Sequence, residues 1–152
     1  MLIVTVVMSA GMSVAQDVNK DARCTICGMF VAKYPAWITK IVHEKKTTLY
    51  FDGVKDMMVY FFHPEKYGAD KANPIGELWL KDYYSLDWID AKKAFFVIGS
   101  DVYGPMGHEF IPFSSNEAAV SFSKDHDGKK IITFDKITDE QVQSMRSGHR
   151  MK

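Results

Sequence analysis

One order of apolar segments occurs twice in this chain, and that repeat limits the fold more than any other feature of the sequence. In the first occurrence, Trp37 to Val42 and Thr47 to Phe51 read as strands around the polar turn His43-Glu44-Lys45-Lys46, a hairpin signal. Asp52 is placed to cap a helix, because Val54, Met57, Met58 and Phe61 follow the i, i+3, i+4, i+7 spacing of one buried face. Pro64 ends that helix, and after a turn-rich loop from Gly68 to Gly76 a third strand runs through Leu78-Trp79-Leu80. In the second occurrence, Ala94 to Ile98 and Glu109 to Phe113 are strand-like, and Ser114 with Glu117 reads as a capping box before Ala118 to Phe122. Asp127-Gly128 is a turn and Ile131 to Phe134 is the closing strand. Phe51-Asp52 before one helix matches Phe113-Ser114 before the other. The expectation is an α+β fold of two homologous strand-strand-helix-strand halves packed together, about 24–84 and about 88–136, followed by a short C-terminal helix over about 138–145. Met57 and Met58, at helical spacing, are expected in the core, and so are Trp37, Trp79 and Trp88, which sit in strand-like runs.

The 152 residues suit one compact domain, 17–152, behind a different kind of segment. Residues 1–16 carry no charge, hold an apolar run from Leu2 to Met8, and end in Ser13-Val14-Ala15, which resembles a cleavage site. That run is too short to span a bilayer, so we expect a signal peptide and an exported, periplasmic or envelope protein. No cysteine follows the run closely enough for lipid attachment. Lys+Arg and Asp+Glu both number 19, so neither nucleic acid nor an anionic membrane surface is an expected partner. A monomer is expected.

Chemistry-bearing residues gather in two places. Cys24-Thr25-Ile26-Cys27-Gly28-Met29 sets two thiols and a thioether within six residues, with a glycine that lets the backbone curl around a small ion. Soft sulfur ligands of this kind select Cu(I) over hard cations. Structural zinc would want a second ligand pair at short spacing, which His43, His63, His108, His126 and His149 do not supply. A thioredoxin-like site would start a helix after a buried strand, whereas Asp17 to Arg23 is polar. A structural disulfide remains open, although so short a loop gains little from closure. The second place is Gly104-Pro105-Met106-Gly107-His108-Glu109, where glycines around a Pro-Met pair put Met106 on a tight turn. His108, two residues on in an extended segment, points to the same side as Met106. No G-x-S-x-G, H-E-x-x-H or Gly-rich phosphate loop is present.

With these residues in view, the chain resembles the NosL family of copper-binding proteins associated with assembly of nitrous oxide reductase. The resemblance runs from about Cys24 to Phe134. It rests on Cys24 to Met29, Phe51-Asp52, Trp88-Ile89-Asp90-Ala91, and Tyr103 to Glu109 followed by Ile111-Pro112-Phe113. It implies two homologous halves related to a domain of an organomercurial lyase, Cu(I) as cargo, no catalytic turnover, and an extracytoplasmic place of work. It also implies delivery of copper to nitrous oxide reductase, its membrane assembly complex or a related cuproenzyme. Carried over position by position, Cys27, Met29 and Met106 are the implied ligands, with Cys24 and His108 next. Many family members are lipoproteins, but Asp21-Ala22-Arg23 before Cys24 is not a lipobox, so membrane anchoring stays open. Two other functions fit the same residues: a thiol-disulfide oxidoreductase using Cys24 and Cys27, and an interaction module with a structural disulfide.

Overall fold

The computed structural model of the protein describes residues 18–148, so the expected signal segment and His149 lie outside the described residues. Alternation of apolar and polar residues builds the first hairpin: β1 (Thr39–His43) pairs antiparallel with β2 (Thr48–Phe51), Thr39 opposite Phe51. The chain then enters α1 (Val54–Phe62) and returns as β3 (Ile75–Lys81) on the other edge of β1. A fourth strand, β4 (Trp88–Asp90), adds to β3 and gives the sheet order β2-β1-β3-β4. The stretch from Trp88, read from sequence as the start of the second half, therefore completes the first sheet.

The second half opens with β5 (Phe95–Ile98), makes a two-stranded ribbon of β6 (Tyr103–Gly104) and β7 (Gly107–His108), and continues through β8 (Ile111–Phe113), α2 (Asn116–Asp125) and β9 (Lys130–Thr133). Its sheet order is β8-β5-β9. Each half thus sets its first strand in the centre, between the strand that precedes its helix and the strand that follows it, an arrangement consistent with the repeat. The chain closes with α3 (Asp139–Arg146), whose N-terminus carries a reciprocal capping box between Thr138 and Gln141.

One apolar core joins the halves. Ile41, Leu78 and Leu80 of the first sheet, Met57 and Met58 of α1, Phe96 and Ile98 of β5, and Val142 and Met145 of α3 all belong to it. A smaller cluster of Val97, Ile111, Phe113 and Phe122 fills the far side of the second sheet under α2. Successive residues of β5 alternate between the two clusters, so the second sheet is covered on both faces. The first sheet is covered on one face only. Its outer face carries Trp79, whose Nε1 donates to Glu77, and Trp88, whose ring lies 4.4 Å from Lys40 Nζ and 4.3 Å from Lys81 Nζ. The tryptophans expected in the core are only half-buried: Trp88 still packs against the main core and Trp37, ahead of β1, against the smaller cluster. An indole on an outer sheet face can be covered by lysine stems as well as by a core.

Both helix starts differ from the sequence reading. Asp52 makes no capping bond, and the N-cap residue of α1 is Gly53. The cap of α2 is Ser115, which accepts from Ala118 N at 3.2 Å, and not Ser114. Ser114 N instead donates to Asp82 Oδ2 at 2.6 Å, which fastens the loop between β3 and β4 to the second half.

Candidate metal centre

The Cys24 to Met29 segment is a closed loop laid along the edge of β2. Cys24 N donates to Met29 O at 2.8 Å, Gly28 N donates to Cys24 O at 2.9 Å, and Thr25 N donates to Tyr50 O at 3.1 Å. Gly28 sits at φ +76, the left-handed region that closes such a loop without strain only at glycine. Arg23 braces it from outside, with its guanidinium 3.8 Å from the Phe30 ring and Nη1 donating to Gly28 O. Cys24 is buried, Cys27 is exposed, and both thiols are free.

Two carboxylates meet these thiols. Cys24 Sγ donates to Asp56 Oδ2 at 3.3 Å and Cys27 Sγ donates to Asp52 Oδ2 at 3.5 Å. One atom from each of Cys24, Cys27, Asp52 and Asp56 lies within 4.8 Å of the other three, a set that can hold a metal ion. Asp52 Oδ1 is buried without a hydrogen-bond partner, so the site keeps an acceptor in reserve. Sequence reasoning missed both carboxylates: Asp52 reads as a helix cap, and Asp56 falls on the helix without being singled out. Asp52 stands just before the N-cap Gly53 and Asp56 in the first turn, so only the fold, which lays the cysteine loop beside this helix start, reveals the set.

Burial raises the pKa of the Cys24 thiol, and the charges of Asp56 and Asp52 push the same way. The Cys27 thiol is raised for the same reasons, burial first. Asp56 is raised by burial and then by Asp52. These thiols and carboxyls thus favour their protons, and a cation that replaces the protons meets up to four anionic ligands. Reactive thiols of oxidoreductases are tuned in the opposite direction.

The second place singled out in the sequence is held by Lys55 of α1's first turn. Met106 is 48% exposed at the tip of the β6–β7 ribbon. His108 is half-buried, with its ring 4.7 Å from that of Tyr103. Lys55 Nζ donates to the carbonyl oxygens of Met106 and His108 at 2.7 and 2.8 Å. The helix turn that carries Asp52 and Asp56 therefore also holds the Met106 turn. Met29, half-buried, ends the cysteine loop. Cys24, Cys27 and the two aspartates form one cluster; Met106 and His108 stand outside it, on a segment that Lys55 ties to the start of the same helix.

Comparison with known proteins decides the family. The NosL family model matches residues 15–142. The chain belongs to the NosL family. Two proteins named copper-binding lipoprotein NosL are similar to it. That of Achromobacter cycloclastes is 30% identical over 137 residues, spanning 85% of this chain and 70% of its own length. That of Stutzerimonas stutzeri is 25% identical over 133 residues, spanning 82% of this chain and 66% of its own. Among solved structures, the copper chaperone NosL from Shewanella denitrificans matches with a TM-score of 0.72 and 25% identity, covering 84% of this chain and 97% of that one. The apo-NosL protein from Achromobacter cycloclastes matches with a TM-score of 0.50 and 30% identity, covering 68% of this chain and 87% of that one. The names these relatives bear are those of copper-binding proteins and a chaperone, not of catalysts.

Proposed function

We propose that this protein is a Cu(I) metallochaperone of the bacterial cell envelope, which carries one copper ion and yields it for maturation of nitrous oxide reductase or a related cuproenzyme. The observation that carries the reading is the placing of Cys24, Cys27, Asp52 and Asp56 around one point, next to a thioether turn tied to the same helix. Cys27, Met29 and Met106 are the proposed principal ligands, with Cys24 and His108 beside them and the aspartates as proton acceptors or hard ligands. Sulfur from thiolate and thioether suits Cu(I), and an exposed Cys27 with an exposed Met106 leaves the ion within reach of an acceptor. The names of the relatives support copper as the cargo, and their being lipoproteins supports an envelope location. No helix among the described residues is long and apolar enough to cross a membrane, so a membrane complex would be met as a partner or through a segment outside them.

The oxidoreductase reading is weaker, because both thiols are raised and the pair lies in a loop, without the helix N-terminus that lowers a thiol pKa. It also leaves the Met106 turn without a role. Anaerobic titration of the reduced protein against a Cu(I) chelator tests the proposal. One tight Cu(I) per monomer is expected, with zinc bound much more weakly. Two or more tight ions, or equal affinity for zinc, would contradict it.

A further inference from the structure

Two buried polar side chains take no part in the proposed ligand set, and each reaches from its own half into the other. Glu109, in the second half, accepts Lys55 N at 2.6 Å and Phe110 N at 2.9 Å through the same oxygen, Oε1. It thereby caps a first-half helix whose own N-cap residue, Gly53, offers no side chain. Only glycine permits that approach, since a Cβ at Gly53 would stand 2.3 Å from Glu109 Oε2. A Cβ at Gly104 would likewise stand 3.2 Å from the Glu109 stem. In return, Lys55 Nζ donates to Met106 O and His108 O. The ribbon that carries Met106 has just two residue pairs, Tyr103 with His108 and Gly104 with Gly107. So short a hairpin does not hold its shape unaided.

We infer that Lys55 and Glu109 are positioning residues for copper: a reciprocal clasp that sets the Met106 turn against the cysteine-aspartate cluster without touching the ion. The inference rests on the reading of Met106 as a ligand. Glu109 fixes the start of α1, that start fixes Lys55, and Lys55 fixes the two carbonyls on either side of Gly107. Loosening the clasp leaves every ligand present but lets Met106 drift. Supporting residues of this kind change metal affinity although they bind nothing themselves.

Gly53→Ala tests this without altering any charge. The backbone at Gly53 is extended, φ 179, so alanine fits the chain and only pushes the Glu109 carboxylate aside. We expect Gly53→Ala to weaken Cu(I) binding by roughly ten- to a hundredfold, the range typical of supporting residues, and to lower exchange protection of the 103–108 amides in the apo protein. In a Met106→Leu background it should weaken binding no further, because the ligand that the clasp positions is already gone. Equal weakening in both backgrounds, or none in either, overturns the inference. If Met106→Leu alone leaves affinity unchanged, Met106 is not a ligand and the function proposed for it falls. The clasp is then judged on exchange alone, where unchanged protection at 103–108 in Gly53→Ala overturns it and lost protection upholds it. Should Gly53→Ala fail to fold, Lys55→Leu, which removes the two donors to the Met106 turn, takes its place under the same outcomes.

Discussion

The two halves share a topology, and they part company at the first turn of their helices. In the second half the chain does what local chemistry favours: Ser115 caps α2, and the neighbouring Ser114 fastens a loop through its amide. In the first half the matching residue, Asp52, is turned away from the helix toward Cys27, and the cap comes from Glu109 in the other half. Next to it Lys55 and Asp56 are buried on positions that a surface helix would leave wet. A repeat built twice from one pattern has kept a structural helix start in one copy and given the other to a site. The cost to the first copy is a helix that cannot start well without the second.

The largest test of that contrast is pH. Glu109 is pushed up to about 8 by burial, and Asp56, Cys24 and Cys27 are raised too, all at the first half's helix start. A carboxyl raised on folding gives stability that is fully present below its unfolded value and is lost as pH rises through its folded one. For Glu109 that window runs from 4.5 to about 8. The lowered carboxyls, Asp82, Asp135 and Asp139, lose any contribution only below the usual carboxylate range and leave this window alone. The apo protein should therefore be more stable near pH 5 than near pH 8, in chemical denaturation followed by circular dichroism. Glu109→Gln, which mimics the protonated form, should flatten most of the fall. A stability that climbs with pH across this window would contradict the account.

A smaller effect separates the two caps. Glu109→Ala strips buried Lys55 N and Phe110 N of their acceptor, and an unsatisfied buried donor costs about 1–3 kcal/mol each. Ser115→Ala removes an ordinary cap, worth about 1 kcal/mol. Equal losses in urea melts would mean that the cross-half cap is no different in kind from the local one.

Smallest of all is the effect of Asp52 on its thiol. Burial is the main cause of the raised Cys27, and the Asp52 charge adds to it. Asp52→Asn should lower the Cys27 pKa slightly, read from thiolate absorbance, whereas Ser114→Ala at the matching position should leave it where it was. No shift would mean that Asp52 does not face Cys27 in solution.

What could be read in the sequence follows the same division. Residues whose partners lie within a few positions announced themselves: the 3.6-residue spacing of α1, the strand alternation, the Thr138 helix start, the curl of Cys24 to Met29. Asp52 was misread because an aspartate before an apolar helix is the ordinary signature of a cap, and only the fold brings Cys27 to it. Glu109 reads as a strand residue and Lys55 draws no reading of its own, since the partners that tie each to the other half lie more than fifty residues away. Ser114 and Ser115 both fit a capping pattern, and only the fold selects Ser115. The tryptophans were misplaced because strand periodicity cannot say which face of a sheet a second layer covers. The cysteine loop and the methionine turn were both found, but their common anchor, the first turn of α1, was not.

The central claim is that one ion draws on both halves. Copper K-edge X-ray absorption on the Cu(I)-loaded protein and on its Met106→Leu variant tests it directly. Leucine nearly conserves volume, so the fold should change by less than about 1.5 kcal/mol. The account predicts a sulfur-dominated shell in the wild type that loses one sulfur scatterer in the variant. An identical sulfur shell in both proteins would confine the ion to the first half and contradict it.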